Sequence, residues 1–247
     1  MKKKIVILVL LFLSLVIYFA PVKVVENFIP QNNKLSILGM KGSVWSGNID
    51  RVVVSDWLLE DLDYHLNFFS LLTGNLNVST LIKKGDIRGE LDFDISDINN
   101  LEISEANLQA PAIRLEKYLP FPGIELGGNL SVQDLTMQLI NQKPTTLFGT
   151  TRWKKANVDI NGKSWALGDF EVIWHMDNGV VVGNVSKSVK NQLGLEGTVT
   201  LTTAGLLEFK GSIASSTDQS IYAALSLFAN GTMKNGRLPI KLKRKIL

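Results

Sequence analysis

Residues 86–95 alternate between polar and apolar side chains without interruption. The polar set is Asp86, Arg88, Glu90, Asp92 and Asp94, and the intervening set is Ile87, Gly89, Leu91, Phe93 and Ile95. A repeat of two residues is typical of a β-strand with one face in water and one dry face. Because a helix repeats every 3.6 residues, this pattern commits the stretch to a half-buried sheet.

Similar alternation recurs along the chain, in residues 76–82, 156–160, 170–176, 193–201, 207–213 and 237–243. Turn-forming sequences separate several of these runs: Asn161-Gly162, Asp177-Asn178-Gly179 and Ala204-Gly205. Such residues adopt the positive φ angles that tight hairpins require. Short turns and one-faced strands favour antiparallel pairing, because parallel strands need long crossovers. The chain is therefore predicted to be mainly β, with strongly curved antiparallel sheet of the meander type.

Three short segments have helical character within this sheet protein. They are residues 67–73, residues 112–118 and residues 218–229. In the last segment Asp218 suits an N-cap, the following residues are apolar at helical spacing, and Gly231 can end the helix. We expect two or three short helices.

The N-terminus carries a membrane signal. Lys2, Lys3 and Lys4 precede an uncharged, apolar run from Ile5 to Val22. As a helix this run reaches about 27 Å, close to the thickness of the hydrocarbon core of a bilayer. The preceding lysines predict a single-pass anchor over 5–22 with residues 1–4 in the cytoplasm. In a bacterium, the bulk of the chain would then lie in the periplasm, attached to the cell inner membrane.

A cleaved signal peptide is the alternative for this segment, because a basic start and an apolar run are common to both. Cleavage favours a small-x-small triplet. The run ends instead with Tyr18-Phe19-Ala20 followed by Pro21. This ending favours the uncleaved anchor.

Composition shifts suggest the organisation of the remaining chain. Residues 23–34 contain a proline and several amide side chains, which is typical of a stalk. The proline-bearing stretch at 119–123 is the best boundary in the body. It predicts a first β unit over 35–118 and a second over 119–247, which can also be continuous with the first.

The residue inventory argues against an enzyme. The chain has no cysteine and two histidines, His65 and His175, which are isolated from one another and from any metal-binding motif. No carboxylate pair stands out for acid–base catalysis, since the acidic residues of 86–95 fit a solvated strand face. The sequence thus predicts no catalytic residue, no cofactor and no metal site.

Nucleic acid is also an unfavourable partner. The net charge of +3 arises from basic residues at both termini, while the long middle of the chain is acidic. A nucleic-acid-binding surface needs clustered basic residues on the folded body. The charge distribution therefore favours protein or membrane partners.

A glycine-flanked tryptophan is the most distinctive local motif. The sequence Gly42-Ser43-Val44-Trp45-Ser46-Gly47 places an indole between two glycines that permit tight backbone. We interpret Gly42, Val44, Trp45, Ser46 and Gly47 as a structural or interaction turn. Packing of the indole against the sheet is favoured over a role as a binding hot spot, because buried aromatic residues mostly serve packing.

The segment from Leu35 to Ile49 around this motif resembles the region after the membrane anchor of the type II secretion system protein N family. Further similarities are Trp57, the Phe68-Phe69-Ser70-Leu71-Leu72-Thr73-Gly74-Asn75-Leu76 segment, and Leu119-Pro120 ahead of Gly127-Gly128-Asn129-Leu130. The resemblance implies a non-catalytic, inner-membrane accessory component of the type II (general) secretion pathway. Its periplasmic β-scaffold would contact other secretion subunits.

Units of the form Leu71-Leu72-Thr73-Gly74-Asn75-Leu76 also occur in AsmA-like envelope proteins, which suggests an alternative function. In that interpretation the dry face of a curved sheet forms an apolar groove for lipid. Leu91, Phe93, Val172 and Trp174 would line it. The same side chains could instead pack together as a closed core, and the sequence leaves both arrangements open.

Overall fold

The structure is a computed structural model that describes residues 19–26, 35–97, 99–118, 123–141, 143–160, 162–189, 191–202, 205–214, 229 and 231–245. Contacts between residues divide the chain into two compact units, Met1–Asp97 and Ile98–Leu247. This division falls earlier than the boundary predicted at residues 118 and 119.

The first unit is an antiparallel meander in which each strand pairs with the next in sequence. Its elements are α1 (Lys23–Glu26), β1 (Leu35–Gly42), β2 (Ser46–Val54), β3 (Trp57–Leu66), α2 (Phe68–Leu72), β4 (Leu76–Gly85) and β5 (Arg88–Asp97). The buried apolar side chains of the strands are Met40, Ile49, Val52, Leu62, Tyr64, Val78 and Ile82.

The second unit continues the same principle with longer strands. Its elements are β6 (Asn100–Pro111), a 3-10 helix (Ala112–Tyr118), β7 (Ile124–Ile140), β8 (Lys143–Ile160), β9 (Lys163–Asp177), β10 (Val180–Val185), β11 (Glu196–Leu201), β12 (Leu206–Ala214) and β13 (Arg237–Lys245). Neighbouring strands are antiparallel. The predicted mainly β, antiparallel meander is confirmed for the described residues.

Several breaks in register interrupt the longest pair of strands. The pairing of β7 with β8 shifts between Gly127 and Asn129 and again between Gln133 and Thr136. Such bulges bend a strand and increase its local twist. They let β7 and β8 run for 17 and 18 residues without forming a flat ribbon.

The helix predictions have mixed outcomes. Within the predicted segment 67–73, Phe68–Leu72 form α2, and Asn67 caps its N-terminus by accepting the Phe69 N–H at 3.0 Å. Residues 112–118 form a 3-10 helix. The predicted helix over 218–229 lies outside the described residues except for Ala229, which bridges to Ile240 of β13.

One residue of the alternating run departs from the predicted face. Asp86 was expected in water, but it precedes β5 and is buried. Its Oδ2 atom accepts the backbone N–H of Leu58 at 2.9 Å, and its own N–H donates to the Leu58 carbonyl at 2.7 Å. The carboxylate closes the connection between β4 and β5, where side-chain alternation no longer applies.

A cluster of buried apolar residues forms the core of the second unit. It consists of Ala156, Leu167, Phe170, Leu193, Ile213, Leu238 and Ile240. The predicted final strand is confirmed as β13, and Pro239 lies opposite Ser212 of β12. Among the described strands β13 has a partner on one side, which suits a residue that lacks an N–H.

Across the described ranges, no helix has the length and apolar character needed to cross a bilayer. The predicted anchor at 5–22 lies outside the described residues except for 19–22. Of the predicted stalk at 23–34, residues 23–26 form α1 and the others lie outside the described residues.

Candidate functional site

The glycine-flanked motif forms the connection between β1 and β2, and we refer to Gly42–Gly47 as the tryptophan turn. The Ser43 N–H donates to the Ser46 carbonyl at 3.0 Å. The Ser43 Oγ accepts the backbone N–H groups of Trp45 and Ser46, both at 3.2 Å. Ser43 therefore holds the turn through its backbone and its hydroxyl together.

Both glycines of the tryptophan turn lie where a side chain has no room. Gly42 has a φ of 103°, and a Cβ atom there would lie 2.6 Å from the Ser46 carbonyl oxygen. At Gly47 a Cβ atom would collide with the Lys41 carbonyl oxygen. The close approach of the two backbones explains the glycines at these positions.

Trp45 connects the tryptophan turn to the helix that follows β3. Its indole is half-buried and meets the Phe68 ring edge-on, with ring centroids 5.0 Å apart. Its carbonyl accepts the Leu66 N–H at 2.7 Å. Aromatic pairs of this kind stabilise a fold beyond their buried area, so the contact with Phe68 can stabilise the turn.

Tyr64 is a turn-holding residue that the sequence did not single out. Its hydroxyl donates to the Ser43 carbonyl at 2.6 Å, and burial raises the pKa of that hydroxyl. Tyr64 lies on β3, far from the turn in sequence. Alternation along β3 could indicate which face of the sheet Tyr64 lies on. The sequence near Tyr64 gives no indication that Ser43 is its partner.

The residues just after the predicted membrane-spanning run also pack on the tryptophan turn. The Val44 N–H donates to the Ala20 carbonyl at 2.9 Å, and the Val22 N–H donates to the Gly42 carbonyl at 3.2 Å. Pro21 forms a β-bridge with Ser43. Val22 is 3% exposed, so the end of the predicted anchor is part of the folded first unit.

Helix α2 presents apolar side chains to solvent beside this turn. Phe69 is 74% exposed and Leu72 is 73% exposed, and Leu71 is also exposed. Phe68 faces inward and joins Trp45 to Phe69, whose ring centroid is 5.7 Å from its own. Exposed apolar residues in a cluster indicate an interaction surface.

A second candidate site is an apolar cavity within the second unit, with a volume of about 320 Å³. It is partly open to solvent. Its lining comes from β7 to β12 and the loop before β11, and consists of Leu130, Thr151, Trp153, Leu167, Phe170, Val172, Val185, Leu193, Leu195, Val199 and Phe209. Apart from Thr151 these side chains are apolar or aromatic, as in sites for apolar ligands.

The four residues predicted to share an apolar face are distributed differently in the structure. Val172 lines the cavity, and Trp174 lies on the same strand with its indole N–H donating to the Thr151 hydroxyl at 2.8 Å. Leu91 and Phe93 are half-buried on β5 of the first unit. The further lining residues Leu193, Leu195 and Val199 carried a signal, because they alternate in sequence.

A shallow polar groove on the first unit brings together acidic side chains and one histidine. Asp63, His65, Glu90 and Asp92 are among its lining residues. Asp63 is engaged by Lys83 at 2.7 Å and by Asn48 at 2.9 Å. These hydrogen bonds, with that from Lys83 the strongest, lower the pKa of the Asp63 carboxyl, so it is ionised at neutral pH.

Arg152 and Glu171 form a partly buried ion pair across β8 and β9. The Arg152 Nε lies 2.6 Å from the Glu171 Oε2, and Glu171 is buried. The hydrogen bond from Arg152 lowers the pKa of the Glu171 carboxyl, against an opposing effect of burial. The pair compensates a charge that would otherwise be costly in this position.

In the described part of the chain, no group of three histidine, cysteine, aspartate or glutamate side chains could hold a metal ion. The fold and its sites define a class of antiparallel β-meander proteins that present apolar and hydrogen-bonding surfaces.

Comparison with known proteins identifies the family. The family model of type II secretion system (T2SS) protein N matches residues 33–241. The chain is also 27% identical over 181 residues to the type II secretion system protein N of Aeromonas hydrophila, which covers 70% of this chain and 71% of that protein. No solved structure matches significantly. The chain belongs to the type II secretion system protein N family, which confirms the resemblance seen in its sequence and connects it with type II secretion and protein transport.

Proposed function

We propose that this protein is a non-catalytic accessory component of the type II secretion pathway, anchored in the inner membrane by the apolar run that begins at Ile5. Its two β units would lie in the periplasm and contact other secretion subunits. The observation that carries the proposal is the family match over 33–241, which covers β1 to β12 and the first part of β13. The basic start and apolar run support the anchor and its orientation.

Strand β13 supplies a surface for such contacts. Among the described strands it pairs with β12 alone, and on its other side the described residues add a bridge from Ala229 to Ile240, so a strand of a partner could add to the sheet beyond Ile240. Lys243 and Lys245 are exposed on it, while Lys241 is paired with Glu208 at 3.1 Å. The basic side chains favour an acidic partner segment and disfavour self-association of the edge.

Affinity purification tests this proposal. The tagged full-length protein would be purified from membranes of its own host, and secretion would be measured after deletion of its gene. We expect secretion subunits in the purified material and reduced export after deletion. The charge reversals Lys243→Glu and Lys245→Glu should weaken both results.

Lys163→Glu is the matched control for these charge reversals. Lys163 is also exposed on the second unit, but it lies at the start of β9. Its reversal should leave recovery of subunits and export unchanged. Intact export after gene deletion, with no secretion subunit recovered, would contradict the proposal.

The location is tested separately with a reporter that is active only in the periplasm, fused after Leu247. We expect reporter activity and retention of the full-length protein in inner-membrane fractions. Recovery of the intact protein in the cytosol would contradict the anchor, whatever the result of the purification.

The apolar cavity favours a second candidate function, the handling of lipid. Its volume falls at the lower end of the range of small-molecule sites, and its lining offers acyl chains contact with apolar and aromatic side chains. A photoreactive phospholipid should then crosslink to β11 and β12. Val199→Phe should reduce this crosslinking by filling the cavity, whereas Ile173→Phe, on the exposed face of β9, should not. Equal crosslinking in both variants would exclude the cavity as the lipid site.

A further inference from the structure

Two neighbouring connections at one end of the first unit contain no charged residue. The meander places the β1–β2 connection and the β3–β4 connection, which contains α2, at the same end. Residues 42–49 and 66–82, which form these two connections and the strand segments next to them, contain no Asp, Glu, Lys or Arg, while the neighbouring strand β5 ends beside them with Asp94 and Asp97. At the opposite end, the β2–β3 and β4–β5 connections contain Asp56 and Asp86, with Arg88 directly following.

This end of the first unit is also the place where the chain arrives from the predicted anchor. Ala20 accepts a hydrogen bond from Val44, and Trp45, Phe68 and Phe69 follow as a continuous series of ring contacts. The exposed tip of α2, consisting of Phe69, Leu71 and Leu72, therefore lies on the side of the unit that the anchor reaches. Phe19, which immediately precedes Ala20, is 70% exposed.

The length that remains for the membrane span also favours a position of α2 close to the bilayer. Residues 20–22 are hydrogen-bonded or bridged to the tryptophan turn and cannot also extend a membrane helix. The run from Ile5 to Tyr18 would then reach about 21 Å as a helix, against about 30 Å of hydrocarbon. A short span is accommodated by thinning the bilayer or by drawing its flanking residues into the interface.

We propose that the tip of α2 and the tryptophan turn insert into the outer surface of the same membrane that holds the anchor. This inference rests on the anchor of the proposed function and deepens it. The occupant of the exposed apolar tip is thus the lipid bilayer. Phe69 and Leu72 would bury their side chains among the lipids, and the Trp45 indole would lie near the headgroups, where tryptophan is enriched. Lys23, exposed at the start of α1, would face the anionic headgroups.

A labelled cysteine measures the depth of each position. Because the chain has no native cysteine, Leu72→Cys or Phe69→Cys creates a single attachment site for an environment-sensitive fluorophore. The full-length variants would be reconstituted into vesicles of phosphatidylethanolamine and phosphatidylglycerol. We expect strong quenching by nitroxide-labelled lipids, shielding from aqueous iodide, and a blue-shifted emission.

Val54→Cys is the matched control, since Val54 is apolar and 44% exposed. It lies at the opposite end of β2, about 26 Å from Ser46 at the usual rise of a strand. Its label should be quenched by iodide and not by the nitroxide lipids. Two label positions on α2 guard against a local disturbance at either one.

The outcomes separate this inference from the proposed function. If the protein floats with the vesicles but the α2 labels are open to iodide, tip insertion is wrong and the anchor stands. If the labels are shielded from iodide but not quenched by the nitroxide lipids, protein covers the tip, for example a second copy, and the inference is also wrong. A protein that fails to float with the vesicles would contradict the proposed anchor itself.

Discussion

Both β units are antiparallel meanders, but different interactions stabilise each of them internally. The first unit has strands of 8 to 10 residues, a turn fixed by Ser43 and Tyr64, and a polar network on β2, β3 and β4. The second unit has strands of up to 18 residues around a cluster of buried apolar side chains. The same strand pairing can thus be stabilised mainly by side-chain hydrogen bonds, as in the first unit, or mainly by a buried apolar cluster, as in the second. Substitutions should therefore affect the stability of the two units differently.

The largest effect is expected from Ile213→Ala in the second unit. Ile213 is fully buried in the apolar cluster, and its truncation leaves a cavity. Such substitutions typically cost about 3 kcal/mol in the free energy of unfolding. Urea unfolding of the full-length protein in detergent should show the loss. Ile173→Ala, at an exposed isoleucine of the same unit, is the control and should change stability by less than about 0.5 kcal/mol.

In the first unit, Gly47→Ala should have the next largest effect. The added Cβ would collide with the Lys41 carbonyl and approach the Tyr64 hydroxyl. Overpacking of this kind costs about 2 kcal/mol. Gly74→Ala is the control, because nothing lies within 4 Å of its Cβ position and only its φ of 83° is unfavourable, at about 1 kcal/mol. Equal losses in the two variants would show that the turn tolerates the contact.

Glu171→Gln tests the partly buried ion pair of the second unit. The native pKa of Glu171 lies below its usual value, so the pair stabilises the fold fully above that usual value and loses this contribution as the pH falls through the native pKa. The variant should lose about 2 kcal/mol at neutral pH and show a weaker dependence of stability on acid. Glu60→Gln, whose partner Arg51 is exposed, should lose less than about 0.5 kcal/mol. A variant with the acid sensitivity of the native protein would contradict this role for Glu171.

The smallest effect is expected at the polar network of the first unit. Lys83 lies 2.7 Å from Asp63 and 3.6 Å from Asp61 at the protein surface. Lys83→Met should raise the pKa of Asp63 toward its usual value while the fold persists, as measured by NMR titration of the carboxyl carbons. Lys41→Met, which removes a partner of Asp50, should leave the Asp63 titration unchanged.

Some of the strands could be predicted because their signal is local. Alternation depends on neighbouring side chains, and it located β4, β5, β12 and β13 within a few residues. It was wrong at Asp86, where a polar residue is buried to satisfy the backbone of Leu58. In a connection between strands, a polar side chain can be buried because it satisfies a backbone N–H. Side-chain alternation carries no information about such hydrogen bonds.

The candidate sites were less predictable because they depend on residues that are distant in sequence. Alternation showed that Leu193, Leu195 and Val199 share a face, but not that this face meets Val172 and Phe209 around a cavity. Likewise, Trp45 was visible as a motif, whereas its contact with Phe68 depends on how β3 returns to the turn. Patterns identify which side chains share a face, and the register of the strands decides which faces converge.

The simple strand order of each unit also determines how it can be built. Within each unit, the described strands pair with their immediate neighbours in sequence, which keeps the separation between contacting residues small. When such a chain emerges from a ribosome or a translocation channel, each new strand finds its template already synthesised. Assembly can then proceed vectorially, from the amino-terminal hairpin onward, without waiting for the carboxyl-terminal residues.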